Sequence, residues 1–259
     1  MSKRILIGGR PCTLPGSGKG LNMHCINYAH RGASEYYPEN TLFSFYMGLT
    51  MGADGIETDI QRTKDGVLVL FHDDTMERLL GRKERIADFT YEQLLAMDFG
   101  LHKGEAFRGE KIVTLEEFLL HFGEKPLTFA LEIKQAGVEA DTIRLLEKYG
   151  VKDKTILTSF LWDSLIEARR QDAKIRIGYL TETVDEALLE RMKQVPMQQL
   201  CPRVNLLSDE MFHRALDMGF SVRFWGIAND DLMRSAMREG SAGMTINDPS
   251  ELTRALQTR

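Results

Sequence analysis

The sequence is short of cysteine, of basic charge and of long apolar runs. Its cysteines are Cys12, Cys25 and Cys201. The number is odd, the spacings are wide and no CxxC pair occurs, which excludes zinc-ribbon and thioredoxin readings. A reducing, cytoplasmic setting is expected. No stretch of about 18 apolar residues exists, so neither a transmembrane helix nor stable membrane insertion is expected. The formal net charge is −5, against the basic excess of a nucleic-acid binder. An anionic small-molecule substrate fits all the same, because a metal or a few basic residues invert the field inside one cleft. A signal peptide is not expected either: the first apolar run is cut short by Gly8, Gly9 and Arg10. The segment at 16–20, GSGKG, fails the P-loop pattern, with Thr13 at the first glycine position and Gly20 in place of Ser or Thr. Residues 1–25 therefore read as a leader or flexible extension, and 26–259 as a single domain.

Across that domain, short apolar runs alternate with amphipathic stretches. Strands are expected at 26–30, 55–61, 127–134, 155–159, 174–180, 197–201, 221–227 and 243–247. Helices are expected at 40–52, where Leu42, Phe45, Tyr46 and Leu49 share one side, and at 139–149, 163–171, 185–193, 208–218 and 230–238. Thr114 and Glu117 have capping-box spacing, and Asp248-Pro249 pairs a cap with proline at the first helical position. Eight strands alternating with helices predict a TIM (β/α)8 barrel, with a doubly wound open sheet as the alternative. Asp65-Gly66 marks a hairpin that leads to His72. Residues 74–111 are polar and mixed, and are expected to form a small insertion after the second barrel strand. Its cations, Arg78, Arg82, Lys83, Arg85 and Arg108, are expected to be solvated.

Four clusters fall at strand ends, where a barrel carries its chemistry. His30-Arg31-Gly32 joins an imidazole to a guanidinium fork suited to phosphate. Glu57 and Asp59 are two apart on one strand and face the same way, a crowding of carboxylates that a hard divalent cation relieves. His72-Asp73 ends the hairpin, where Asp73 either orients His72 or begins a turn. Glu132 and Lys134 share a face of a buried strand, so one offers a third metal ligand and the other a cation for phosphate. A histidine pair titrating near neutrality serves as base and acid, and no Gly-x-Ser-x-Gly elbow is present for acyl transfer. The remaining histidines, His24, His102, His121 and His213, are expected outside the site, Trp162 in packing, and the methionines in the core.

These segments, with Pro38-Glu-Asn-Thr41, Thr63-Lys-Asp-Gly66, Ser159-Phe160, Phe224-Trp225 and Thr245-Ile-Asn-Asp-Pro249, resemble the glycerophosphodiester phosphodiesterase family from about residue 26 to the C-terminus. The resemblance implies metal-dependent hydrolysis of a glycerophosphodiester to sn-glycerol 3-phosphate and an alcohol. It implies His30 and His72 as the acid/base pair, and Glu57, Asp59 and Glu132 as ligands of one Mg²⁺ or Ca²⁺. Arg31 and Lys134 would contact phosphate, and Trp225 would wall the glycerol side. A neighbouring substrate hydroxyl would attack phosphorus first, giving a cyclic intermediate. The expected partner is a small glycerophosphodiester, and the expected assembly a monomer or homodimer. Alternatives are a lysophospholipase D-type enzyme, kept open by Phe89, Leu94, Leu95, Phe99 and Leu101, a catalytically dead binding barrel, and an aldolase or isomerase using Lys134.

Overall fold

A computed structural model describes residues 25–258; the expected leader, apart from Cys25, lies outside them, as do the GSGKG segment and His24. Among the described residues the strands are β1 (Ile26–His30), β2 (Gly55–Arg62), β3 (Leu68–Leu70), β4 (Thr128–Ile133), β5 (Thr155–Ser159), β6 (Ile177–Thr181), β7 (Gln199–Pro202), β8 (Ser221–Phe224) and β9 (Ser241–Ile246). Eight of them pair in parallel in the order β1-β9-β8-β7-β6-β5-β4-β2, and β2 returns to β1, which closes a barrel. β3 pairs antiparallel with β2 as the expected hairpin. Its turn needs the left-handed φ of +92° that Gly66 supplies without a side-chain clash.

A helix follows each barrel strand, and the expected starts hold. Thr114 accepts from the Glu117 backbone N–H at 3.0 Å, and Asp248 caps Pro249–Gln257 through the Ser250 N–H at 2.9 Å. The helices turn apolar stripes onto the outside of the strands. Phe45, Phe118, Phe122 and Phe129 pack there with ring centroids 5.0–5.8 Å apart, a large apolar area removed from water. Trp162 also packs, edge-on to Tyr179 and under Arg191.

Some strand starts are later than the pattern implied. β6 begins at Ile177 rather than 174, because Asp172 accepts from the Lys174 and Ile175 N–H groups and turns the chain first. β7 begins at Gln199 because the Met197 N–H still closes the preceding helix on Met192. Gly226, at a φ of +76°, ends β8 early.

The insertion is more ordered than its polarity implied. It holds the short helices Glu77–Leu80 and Tyr91–Leu95 and three single 3-10 turns. Met76, Ile86, Leu94 and Phe99 form a small core of its own against Val69, Phe71 and Ile112. Among the described residues no helix is long and apolar enough to cross a membrane.

Candidate active site

Strand register assembles the site. His30 lies opposite Glu57 across β1 and β2, and Asp59 lies opposite Glu132 across β2 and β4. Two-residue periodicity turns Glu57, Asp59 and Glu132 inward at the C-terminal mouth. All three are buried, at 4%, 0% and 6% exposure. One oxygen from each lies within 4.8 Å of the others. Glu57 Oε2 and Asp59 Oδ1 have no hydrogen-bond partner. Buried, crowded and partly unsatisfied carboxylate oxygens are what a hard divalent cation takes as ligands, so the donor set fits such an ion.

The site's electrostatics follow from this crowding. Burial, then the charges of Asp59 and Glu132, push the Glu57 carboxyl up to about 8. Burial likewise pushes Glu132 up to about 7, against the pull of Lys134. Burial works the same way on Asp59, but Lys134 and Arg31 outweigh it and hold this carboxyl below its ordinary range. Lys134 Nζ lies 2.7 Å from Glu132 Oε1 and 3.5 Å from Asp59 Oδ1, and Arg31 Nε lies 3.5 Å from Asp59 Oδ2.

Each histidine has a fixed acceptor at Nδ1. His30 ends β1, with Nδ1 2.6 Å from Asn247 Oδ1. Ser34 Oγ donates to the same oxygen at 3.3 Å, which identifies it as an acceptor. His72 Nδ1 lies 2.6 Å from Asp73 Oδ1, so Asp73 orients His72. With both Nδ1 atoms donating, Nε2 is the atom each ring has left for taking up or releasing a proton. His30 Nε2 is 3.8 Å from Glu57 Oε2. Burial, with Arg31 beside it, pushes the His30 imidazole down to about 3, and burial lowers His72 as well.

The loop after β1 is held in strained backbone. Arg31 and Asn40 have φ of +56° and +57°, uncommon for residues other than glycine. Arg31 is locked by its N–H to Glu57 O at 2.8 Å, and Asn40 by its N–H to Arg31 O at 3.0 Å. Asn40 also donates through Nδ2 to Asp59 Oδ2 at 3.0 Å and accepts from Thr58. Between them Gly32, at φ +89°, leaves no room for a Cβ against Ser44. Strain of this kind persists where surrounding contacts over-determine it.

Trp225 follows β8 on the same face. Its Nε1 donates to Cys201 O at 3.0 Å and its ring meets Phe160 at 5.4 Å. All the expected site residues thus sit at the barrel mouth. Reasoning from single residues missed Asn247, Glu39, Asn40, Gln61 and Arg78. The first three lie in segments that carried the family resemblance, and Gln61 continues the inward period of Glu57 and Asp59. Arg78 gave no local signal. It was expected in solvent with its neighbours, but it bridges Asp73 and Glu39. His102, expected outside the site, stands on the 3-10 turn Leu101–Lys103 of the insertion, half-buried, and burial lowers its pKa.

Known proteins are similar to this chain in sequence and fold. The glycerophosphoryl diester phosphodiesterase family model matches residues 30–251. A glycerophosphodiester phosphodiesterase of Caldanaerobacter subterraneus is 31% identical over 235 residues, covering 89% of this chain and 97% of its own. One from Bacillus subtilis is 29% identical over 247 residues, covering 86% and 84%. Among solved structures, an Oleispira antarctica phosphodiesterase in complex with the product sn-glycerol-3-phosphate superposes with a TM-score of 0.82 at 25% identity, covering 89% of this chain and 96% of its own. A Thermotoga maritima glycerophosphodiester phosphodiesterase gives a TM-score of 0.69 at 24% identity, covering 90% and 99%, a likeness of fold. With the match spanning both histidines, the three carboxylates and the barrel that brings them together, the chain belongs to the glycerophosphoryl diester phosphodiesterase family.

Proposed function

We propose that this chain hydrolyses glycerophosphodiesters to sn-glycerol 3-phosphate and an alcohol, with one Mg²⁺ or Ca²⁺ held by Glu57, Asp59 and Glu132. The observation that carries the reading is the buried triad of carboxylates, two of whose oxygens lack a hydrogen-bond partner, facing two histidines whose Nδ1 atoms are already committed. The Oleispira relative's complex with sn-glycerol-3-phosphate supports the product. When bound, the cation supplies charge neutralisation to the phosphoryl oxygens.

The chain's own residues do the rest. Arg31 and Lys134 present cations to the phosphate. The histidines work through Nε2. His30, paired with a neutral amide, is held in the unprotonated form that a base needs, and takes a proton from the attacking hydroxyl. The Asp73 carboxylate works against the burial that lowers His72, so His72 is the better suited of the two to carry a proton, and in its protonated form gives it to the departing alcohol oxygen as its bond to phosphorus breaks. A glycerol hydroxyl next to the ester is the first nucleophile, and water then opens the cyclic phosphate with the two roles reversed. Trp225, with Phe160, walls the glycerol side. A cytoplasmic setting and a monomeric or homodimeric state complete the reading.

Two alternatives have less support. Of the five apolar residues that kept a lysophospholipid reading open, Leu94 and Phe99 are buried in the insertion's own core and Phe89 packs against it, leaving Leu95 and Leu101 exposed. Lys134 is surrounded by carboxylates that raise its pKa, which keeps the amine protonated and unfit for a Schiff base. The test is turnover of a panel of glycerophosphodiesters, each assayed with a chelator and then with Mg²⁺ or Ca²⁺ restored. Activity lost to the chelator and recovered on metal addition is expected. Undiminished turnover in chelator, or none on any diester with metal present, sinks the proposal.

A further inference from the structure

Arg78 stands on the short helix Glu77–Leu80, in the insertion rather than in the barrel, and its side chain is 48% exposed. It nevertheless makes the densest set of charged contacts near the site. Nε donates to Asp73 Oδ2 at 2.7 Å and Nη2 to Asp73 Oδ1 at 3.1 Å. Nη1 donates to Glu39 Oε2 at 2.7 Å and Nη2 to Glu39 Oε1 at 2.7 Å. One planar guanidinium therefore grips two carboxylates, one on each edge.

Each carboxylate is already committed to a residue of the site. Asp73 Oδ1 accepts from His72 Nδ1 at 2.6 Å. Glu39 Oε1 accepts from Arg31 Nη1 at 3.0 Å, and Arg31 reaches on to Asp59. A continuous path of charge-assisted hydrogen bonds thus runs from His72 through Asp73, Arg78 and Glu39 to Arg31. Asp73 and Glu39 come from different loops, and Arg78 is the group that ties them together.

We propose that Arg78 is a positioning residue for the reaction, setting the His72 ring through Asp73 and the Arg31 guanidinium through Glu39 in one rigid frame. The proposal rests on the reading of His72 as a proton-transfer group and of Arg31 as a phosphate contact. It makes the insertion a working part of the site, because the spacing between the proton donor and the phosphate clamp then depends on a side chain outside the barrel. The geometry needs the fork. A lysine carries one compact charge and cannot meet four carboxylate oxygens in a plane. Its partial exposure also means that loss of Arg78 leaves no cavity in the core.

The test compares Arg78→Gln, Arg78→Lys and Arg78→Ala with the parent enzyme. Expected for Arg78→Gln is a fall in kcat of about 10- to 100-fold, the range for losing an orienting partner of a working histidine. The thermal stabilisation given by Mg²⁺ or Ca²⁺ should be retained. Arg78→Lys should recover little, whereas millimolar guanidinium should restore part of the kcat of Arg78→Ala. Nitrogen-15 NMR should show His72 as the Nδ1–H tautomer in the parent and as a mixture in Arg78→Gln. A kcat within about twofold of the parent, or an unchanged His72 tautomer, overturns the proposal. A loss of kcat that tracks a loss of metal-induced stabilisation and resists guanidinium overturns it too, since that is the mark of a merely structural role. If the parent turns over no glycerophosphodiester, the functional reading falls, while the NMR comparison still decides the positioning role.

Discussion

His30 and Asn247 are 217 positions apart and meet at 2.6 Å, Nδ1 to Oδ1, where the first barrel strand closes against the last. Closure of the barrel is thus also what sets the tautomer of His30. Asn247→Ala removes the acceptor and leaves the ring free to turn, while Ser34 loses a partner at the rim. The expected result is a fall in kcat of about 10- to 100-fold, with metal binding intact because no carboxylate is touched. Steady-state kinetics and a metal-dependent melting curve check both halves. An unchanged kcat removes Asn247 from the account.

Glu57 sets function against stability. Its carboxylate is buried beside two others, and its Oε2 has no hydrogen-bond partner. Glu57→Gln keeps the shape and replaces a group that, to be buried there, must either carry a crowded charge or take up a proton. The metal-free protein should therefore become more stable, by about 1–2 kcal/mol and a rise of roughly 2–8 °C in Tm. The same change should abolish most of the additional Tm that Mg²⁺ or Ca²⁺ gives, and with it the activity. Differential scanning calorimetry with and without metal reads both effects. A metal-free Tm below that of the parent contradicts the picture of mutual repulsion.

The same repulsion gives a pH dependence whose sign is fixed. Glu57 and Glu132, pushed up to about 8 and about 7, lie well above their unfolded value of 4.5. A raised pKa contributes stability at low pH that is lost as pH rises through the folded value. His30 and His72 are lowered, so their contribution is present above 6.5 and is lost only as pH falls. Asp59 is also lowered and is constant in this range. Between about pH 7.5 and pH 8.5 these histidines are neutral in both states and, of the site groups, the glutamates, chiefly Glu57, still change, so metal-free stability should fall as pH rises across that window. Saturating divalent cation, which takes the deprotonated form, should flatten the fall, so the metal-induced gain in Tm grows with pH. Melting curves at both ends of the window decide it. A gain that shrinks with pH has the wrong sign.

How far the sequence exposes this site depends on how local each signal is. Glu57 and Asp59 are legible because period-two alternation is a property of five consecutive residues. The eightfold alternation of strand and helix is legible for the same reason, and so is the hairpin at Gly66, whose φ only glycine adopts freely. Asn247 is not, because its role exists only once the barrel has closed. Arg78 is not, because an arginine in a polar segment reads as solvated, and Glu39 lies 39 positions away. The insertion misled for a related reason. Its core draws on Val69, Phe71 and Ile112 from the flanking chain, so its own residues look too polar to fold. What the sequence hides is therefore the set of orienting partners, more than the reacting groups.

Gln61 is one of those partners and is open to a clean test. It stands on β2 two residues after Asp59, 7% exposed, and donates through Nε2 to Phe71 O at 3.0 Å and to Asp73 O at 2.8 Å. Those carbonyls flank His72 on either side. Gln61 thus fixes the backbone on which His72 stands, whereas Asp73 fixes its ring. The Phe71 N–H, donated to Asp59 O at 3.1 Å, ties the same segment to the metal-ligand strand. Gln61→Leu keeps the bulk but leaves two carbonyls without their donor, at a cost of about 1–3 kcal/mol for unsatisfied buried groups. In a chain of this length that is a Tm loss of roughly 2–12 °C. The fall in kcat should exceed any change in KM, because Arg31 and Lys134 keep their places while His72 loses its own. A Gln61→Leu enzyme with reduced Tm and undiminished kcat would show that the segment re-forms without this anchor, and that His72 is placed by Asp73 alone.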